Sequence, residues 1–460
     1  MYSYFCDKLK QIYEFVCLAG ILLFAVLPLF MVIGPEKYGI TFKSFAIVEI
    51  VIFMVCIIAY LIFFAVSLSA SSGKCKVSDL KEKLSSFFSG QSYAILFVFV
   101  FILSVVSAFC APDRQRALSG TDFRPDGILM YACFISLFFF ASSLKNSRYR
   151  QTVAIFYGIS FFVVSFVMLM QYYGVIGTAS KTDTPTFLIP LKQVCSDLGI
   201  STGHFYKGMT GTFYNSNHMG YYIAICSGMF TGLFIKSDNK FKSVLFLIIS
   251  SYSFWILILN NTFGAYIAVF VAILIYGIYF LVTKRTSAFK ALLPLILFVC
   301  VSVATSVTST SADKSIIGKN IIQTGKDVKN IAVAEDKANA KGGSGRWQLW
   351  VNTLSMIKEE PTIGYGPDNI KAPSLKYRMK MDRAHNEFLE ISAAIGIPGA
   401  IFYYTGIIGA IICFLKKKQT SGVSLGASLA VLSYFVSSLF GVFLFYTACH
   451  LFVMLGLMRN

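Results

Sequence analysis

Ser344-Gly345-Arg346-Trp347-Gln348-Leu349-Trp350, Gly364-Tyr365-Gly366 and Arg383-Ala384-His385-Asn386 all fall within one polar segment, residues 310–386, the longest interruption in an otherwise apolar chain. On both sides of it the sequence returns to apolar runs of about 20 residues, the length of helix that spans a hydrocarbon core. The 460 residues are 56% hydrophobic and only 13% charged, which is too apolar for a soluble globular fold of that length. The chain is therefore expected to be an all-α polytopic membrane protein whose chemistry sits in the polar interruption.

Apolar runs at 12–33, 45–68, 91–111, 127–144, 152–173, 218–235, 241–259, 262–282, 288–309, 397–415, 422–440 and 442–458 give about twelve transmembrane helices. The first follows Lys8 and Lys10 but is too long for a signal-peptide core and has no small-x-small cleavage site, so it reads as a span. The expected organisation is spans 1–9 within 1–309, with a first outer loop at about 174–217; a large helical extracytoplasmic loop at 310–386; and spans 10–12 within 387–460. Lys and Arg accumulate in cytoplasmic loops. With both termini inside, tufts such as Lys74, Lys76, Lys81 and Lys83, or Lys416, Lys417 and Lys418, all fall on that side, and both long loops fall outside.

The formal net charge of +18 follows from these tufts. Because the cations are scattered between apolar runs rather than gathered on one patch, nucleic acid is not an expected partner. The eleven cysteines contain no Cys-x-x-Cys pair and mostly lie inside apolar runs, where cysteine behaves as a small hydrophobe. No metal site or cofactor is expected.

Within 310–386, residues 314–340 carry Ile317, Ile321, Val328 and Ile331 among lysines, the pattern of a helix lying along a membrane surface. A second helix is expected over 345–359, with Trp347, Trp350, Val351, Leu354 and Ile357 forming its packing face and Pro361 beyond its end.

Several residues have side chains suited to chemistry. His385, where the outer loop re-enters the membrane near Lys376, Arg378, Lys380 and Arg383, has the titration range of a general base; it also suits a plain interfacial polar role. Arg346 opens a helix beside glycine-rich backbone. That combination matches a phosphate or pyrophosphate group, or equally an arginine snorkelling between belt tryptophans. The stretch Lys207-Gly208-Met209-Thr210-Gly211-Thr212-Phe213-Tyr214-Asn215-Ser216-Asn217 suggests special backbone over a cavity, with Lys207 or His204 available to an anion; Asn217 also reads as an ordinary helix cap. Glu49 and Glu390 lie within or beside spans, and His450 is expected to bond to a neighbouring helix.

In order, Gly211-Thr212-Phe213-x-Asn215-x-Asn217, Arg346-x-x-x-Trp350, Pro361-x-x-Gly364-x-Gly366, His385-Asn386-x-x-Leu389 and Gly396-Ile397-x-Gly399 resemble the O-antigen ligase and O-antigen polymerase (Wzy-type) superfamily. The resemblance covers about 208–402. It implies a glycosyltransferase-C-like fold in a bacterial plasma membrane. It also implies transfer of glycan from a polyprenyl (undecaprenyl) pyrophosphate carrier to an acceptor hydroxyl on the outer face, without metal or nucleotide sugar. The acceptor is a glycan, lipid or cell-wall component. By the same resemblance Arg346 holds the leaving pyrophosphate, His385 activates the acceptor, Asn386 orients that histidine and Asn217 shapes the cavity.

Two departures qualify it. Asn261-Thr262-Phe263-Gly264 has Phe263 where relatives often carry an arginine, and Lys207 precedes the Gly-Thr-Phe where they tend to carry another. Lys207, Arg378 and Arg383 are therefore the expected sources of additional positive charge at the substrate. The resemblance leaves ligase and polymerase undivided. From another class, a transporter or flippase for a lipid-linked sugar or small anion predicts related halves, and no internal repeat is evident.

Overall fold

The structure is a computed structural model and describes residues 2–30, 42–69, 92–121, 125–176, 184–198, 209–213, 215–284, 288–308, 316–333, 345–376, 383–417 and 420–459. Among these residues there is no strand. The helices are α1 (Tyr2–Phe30), α2 (Phe42–Ser69), α3 (Ser92–Cys110), α4 (Arg114–Ser119), α5 (Ile128–Ser143), α6 (Ser147–Tyr172), α7 (Ile189–Asp197), α8 (Ser216–Lys236), α9 (Lys240–Asn260), α10 (Phe263–Thr283), α11 (Ala288–Thr308), α12 (Ile316–Val333), α13 (Arg346–Glu359), α14 (Lys371–Lys376), α15 (Glu387–Leu415), α16 (Gly422–Ser438) and α17 (Phe445–Leu457). Eight have the length and apolarity to cross a membrane, and four shorter apolar helical stretches join them. The protein is an all-helical, polytopic membrane protein.

Helix starts follow side-chain chemistry. Asn146, Asn215, Asn239 and Asn386 each accept a hydrogen bond from a backbone N–H in the following turn, at 2.9, 2.8, 3.0 and 3.0 Å, satisfying donors that the helix cannot.

α8 is the central helix, almost wholly buried, and α16 lies against it at backbone contact. A Cβ on Gly232 would sit 2.2 Å from the Gly426 nitrogen, and one on Gly228 would sit 2.5 Å from that of Ala430. Small residues allow this approach, and dispersion between closely packed backbones replaces the hydrophobic drive that lipid cannot supply. The histidine of α17, His450, bonds to the Tyr157 hydroxyl of α6 at 3.0 Å, an inter-helix role as expected. Glu49 of α2 is fully buried, next to Cys449.

The tenth apolar helix, α15, begins at Glu387, ten residues before the apolar run that announces it. Glu387, Glu390 and Ser392 dilute the hydropathy of its first turns, but all three are buried. The helix then breaks: Ile395 and Gly396 leave helical geometry, Gly396 with φ of 80°. The break frees carbonyls that a second segment satisfies. Tyr365 N–H donates to Ala393 at 2.9 Å, Gly366 N–H to Ala394 at 2.8 Å, and the Ser107 hydroxyl also reaches Ala394; in return Ile397 N–H donates to Pro361 at 2.8 Å. A Cβ on Gly396 would lie 2.1 Å from the Thr362 carbonyl oxygen. The two glycine motifs at 361–366 and 396–399 thus form one joint, in which irregular backbone is tolerated because protein covers it.

α13 spans the expected residues but turns a different face inward. Leu349, Thr353, Met356 and Ile357 are buried, whereas Leu354 is exposed and Trp347, Trp350 and Val351 are half-buried. The buried set follows the i, i+4, i+7, i+8 stripe that packs on α15. The tryptophans lie beside that stripe.

Candidate functional site

A cavity of about 210 Å³ lies where the N-terminus of α8, the α9–α10 turn, the C-terminal end of α16 and the first residue of α13 meet. α8 contributes Asn217 and Tyr221. The α9–α10 turn contributes Asn261 through Gly264, with Asn261 in the left-handed region at φ of 60°. Ser437 and Phe440 close the floor, and Gln323, Thr324 and Asp327 of α12 cover the opposite side. Around its polar residues α12 exposes Ile322, Val328 and Val333, so its polar side faces the cavity and its apolar residues suit the membrane interface.

Arg346, at the start of α13, lines this cavity. Its guanidinium makes no hydrogen bond or ion pair among the described residues, and the helix beginning there adds the partial positive charge of a helix N-terminus. Its charge remains available to a ligand. Phe263, at the position where relatives often have arginine, stands in the same wall.

Asn217 does not cap α8. The cap is Asn215, whose carboxamide oxygen accepts from the Asn217 N–H, and the helix starts one residue before Asn217. That leaves the Asn217 side chain in the cavity wall. The preceding Gly-Thr-Phe turn is pinned by Gln171, which accepts from the N–H groups of Thr210 and Gly211 at 3.0 and 2.9 Å, and by Asn260, which donates to the Met209 carbonyl at 2.7 Å.

Tyr221 links the cavity to the start of α15. Its hydroxyl donates to the Ser437 carbonyl at 3.1 Å and lies within electrostatic reach of Arg346, Glu387 and Glu390. Gly441 is required opposite it, since a Cβ there would fall 0.9 Å from the tyrosine oxygen. Glu387 is fully buried and accepts hydrogen bonds from Tyr403 at 2.6 Å and Tyr434 at 3.1 Å.

His385 and Asn386 are not in the cavity wall but stand beside it. Asn386 caps α15 and donates to the Leu439 carbonyl at 3.0 Å, the residue before Phe440 of the cavity floor. The Asn386 amide is thus engaged in capping and bridging. His385 is half-buried and held at φ of 51°, a left-handed conformation that costs energy and persists only where neighbours enforce it.

Arg383 lies two residues before it. It is buried, and its guanidinium donates to Asp126 at 2.7 Å, to Asp368 at 2.9 Å and to Glu390. Burial opposes its charge, but the carboxylates, Glu390 foremost, outweigh that and raise its pKa above the ordinary arginine value. Asp126 also accepts from the Phe445 N–H, and Arg116 donates to the Asp368 carbonyl at 2.6 Å. The expectation that Arg383 adds charge at the substrate meets a different arrangement: this charge is directed at three carboxylates. Lys207 and Arg378, with His204, lie outside the described residues.

The pocket therefore unites Arg346, Asn217 and Phe263, with His385 and Asn386 on its flank. Tyr221, Asn261, Gln323 and Asp327 were not anticipated from sequence, although Gln323 and Asp327 are spaced i, i+4 on the polar side of an amphipathic helix and do bond to each other at 2.8 Å. Among the described residues no group of three or more His, Cys, Asp or Glu side chains is placed to hold a metal ion.

Fold and pocket together define a polytopic membrane protein with a polar cavity, carrying a free guanidinium, at one end of its helix bundle. Residues 244–404, from α9 to the middle of α15, match the family model of O-antigen ligases. That family supports glycan transfer in general, from a lipid-linked donor to a glycan acceptor. No curated protein and no solved structure gives a significant match to the chain.

Proposed function

We propose that the protein transfers a saccharide from a polyprenyl pyrophosphate carrier to an acceptor hydroxyl at the outer face of the bacterial plasma membrane, both of its termini being cytoplasmic. The observation that carries this reading is Arg346, a guanidinium with no partner among the described residues, standing in a polar cavity roofed by an amphipathic helix. A guanidinium fork matches two phosphate oxygens at once, and the apolar residues exposed on α12 are suited to the interface where a polyprenyl phosphate group lies.

In the proposed reaction the acceptor oxygen attacks the anomeric carbon as His385 takes its proton. The bond from that carbon to the pyrophosphate oxygen breaks, and the leaving group departs with the electron pair towards Arg346. A fixed cation in a shielded cavity stabilises that developing charge without reorganising. Asn217 and Tyr221 shape the donor side, Asn386 holds the His385 turn, and Arg383 serves as a positioning residue rather than a substrate contact. One base and no covalent intermediate give inversion at the anomeric centre, and the electrostatic work assigned to Arg346 needs no metal ion.

Proteoliposomes holding the purified protein and a polyprenyl-pyrophosphate-linked oligosaccharide test this. The expected result is a new glycosidic bond of inverted configuration together with released polyprenyl pyrophosphate. Intact donor moved across the bilayer, or a product of retained configuration, contradicts it.

A further inference from the structure

Between α6 and α8 lies a short helix, α7, whose apolar side the described residues leave uncovered. A 3-10 turn at Thr186–Leu188 runs into it, and Phe187, Leu191, Val194 and Leu198 recur at i, i+4, i+7 and i+11, the spacing of one helical face. Their exposures are 79%, 37%, 51% and 68%, the reverse of what a helix of a soluble protein does with such a face. The neighbouring face is occupied: Leu188 and Cys195 pack on Met170, Val175 and Ile176 at the end of α6. The remaining side is polar, with Lys192 donating to the Thr184 hydroxyl at 3.2 Å and Gln193 to Asp197 at 2.8 Å.

The place of α7 on the bundle points to what covers that face. In α6, Ile155, Ile159, Phe162 and Phe166 are exposed at i, i+4, i+7 and i+11, the stripe that a membrane span turns to lipid. Met170 is the next residue of that stripe, and it is buried in the cluster on which α7 packs. α7 therefore lies on the lipid-facing side of α6. Its depth is that of the interface: the 26 residues of α6 are about 39 Å long, against about 30 Å of hydrocarbon, and α6 ends in Tyr172 and Tyr173, a residue type that favours the headgroup level. This is the cavity end of α6, since Gln171 of its last turn holds Thr210 and Gly211 ahead of Asn217.

We propose that α7 is a membrane-seated helix lying in the plane of the bilayer: Phe187, Leu191, Val194 and Leu198 enter the boundary between headgroups and acyl chains of the leaflet on the cavity side, while Lys192, Gln193 and Ser196 face water. The partner is the phospholipid surface itself. With one lysine and one aspartate in the helix, seating rests on apolar burial and needs no anionic lipid. The surface is separate from the cavity and from the residues assigned to glycan transfer.

Tryptophan introduced on either side of α7 in the full chain tests this in proteoliposomes of phosphatidylcholine, with and without bromine placed high on the acyl chains. Phe187→Trp and Val194→Trp replace exposed side chains and should leave the fold intact. Relative to wild type, their added emission is expected at short wavelength and to lose most of its intensity to the brominated lipid, whereas that of Ser196→Trp is expected to lose little. Unquenched emission from Phe187→Trp and Val194→Trp overturns the proposal: at long wavelength it places the stripe in water, and at short wavelength it places protein, a second copy or another chain, over the stripe. Equal quenching of Ser196→Trp overturns it as well. Wild-type protein in phosphatidylcholine bearing a photoactivatable group high on its acyl chain gives a readout free of variants: adducts within residues 184–198 support the proposal, and adducts confined to the spans overturn it.

Discussion

Arg383 and Asp126 are 257 residues apart in the chain and 2.7 Å apart in the fold. The same guanidinium holds Asp368 and Glu390, so one side chain ties the loop before α5, the turn after α13 and the first turn of α15. His385 lies two residues away, in strained backbone. A buried ionic cluster therefore stands two residues from the candidate base.

Arg383→Ala is expected to destabilise the protein by about 3–5 kcal/mol, because three buried carboxylates lose their shared counter-ion. Detergent thermal unfolding should show the loss as a large fall in Tm, with Arg383→Lys intermediate because an ammonium lacks the planar fork. An unchanged Tm with a raised KM for donor would place Arg383 on the substrate instead.

Arg346→Ala should behave in the opposite way. With no bond among the described residues to lose, folding should be unaffected, while kcat should fall by about 10²–10³, the cost of removing a transition-state charge donor. Parallel measurement of Tm and single-turnover rate checks both halves, and Arg346→Lys should recover only part of the rate.

The spans were legible because apolar runs and capping asparagines are local signals. α8, α9 and α10 begin and end within about two residues of their apolar runs. The candidate site was legible in part. Arg346 and Asn217, singled out by their motifs, both line the cavity, but Arg383 reads as one more cation beside Lys376, Arg378 and Lys380, since nothing local announces that Asp126 and Asp368 converge on it. The start of α15 was hidden for a related reason: Glu387 and Glu390 look like loop residues until Tyr403, Tyr434 and Arg383 are seen to satisfy them. Pairings made by tertiary packing leave no periodicity to read.

Gly232→Leu should separate α8 from α16. Even the first added carbon meets Gly426 backbone, and overpacking of this kind costs about 1–3 kcal/mol or more. Reduced folded protein in membranes, recovered poorly by compensating changes because Gly426 has no side chain to trim, is the expected result; normal yield and Tm would argue against the close crossing.

Partial burial, then repulsion from Arg459, Arg150, Lys10 and Lys417, lowers Lys145 to about 8. The cations acting on it are those four, and its backbone N–H donates to Glu14. Because an unfolded lysine titrates near 10.4, the unfolded chain holds a proton between about pH 8 and 10 that the folded one has shed, and this group's contribution makes lipid-free stability rise with pH across that window. The Tm of wild type in detergent should therefore rise relative to that of Lys145→Gln as pH goes from about 8 to about 10, and a pH-independent difference would contradict the lowered value.

In the proposed reaction His385 takes the acceptor's proton while Arg346 holds the departing pyrophosphate. Single-turnover transfer from a polyprenyl-pyrophosphate-linked oligosaccharide, measured for wild type and His385→Ala at equal amounts of folded protein, tests it most directly. A fall of about 10²–10⁴ in rate with donor binding retained is expected; transfer by His385→Ala at the wild-type rate would contradict the role proposed for the histidine.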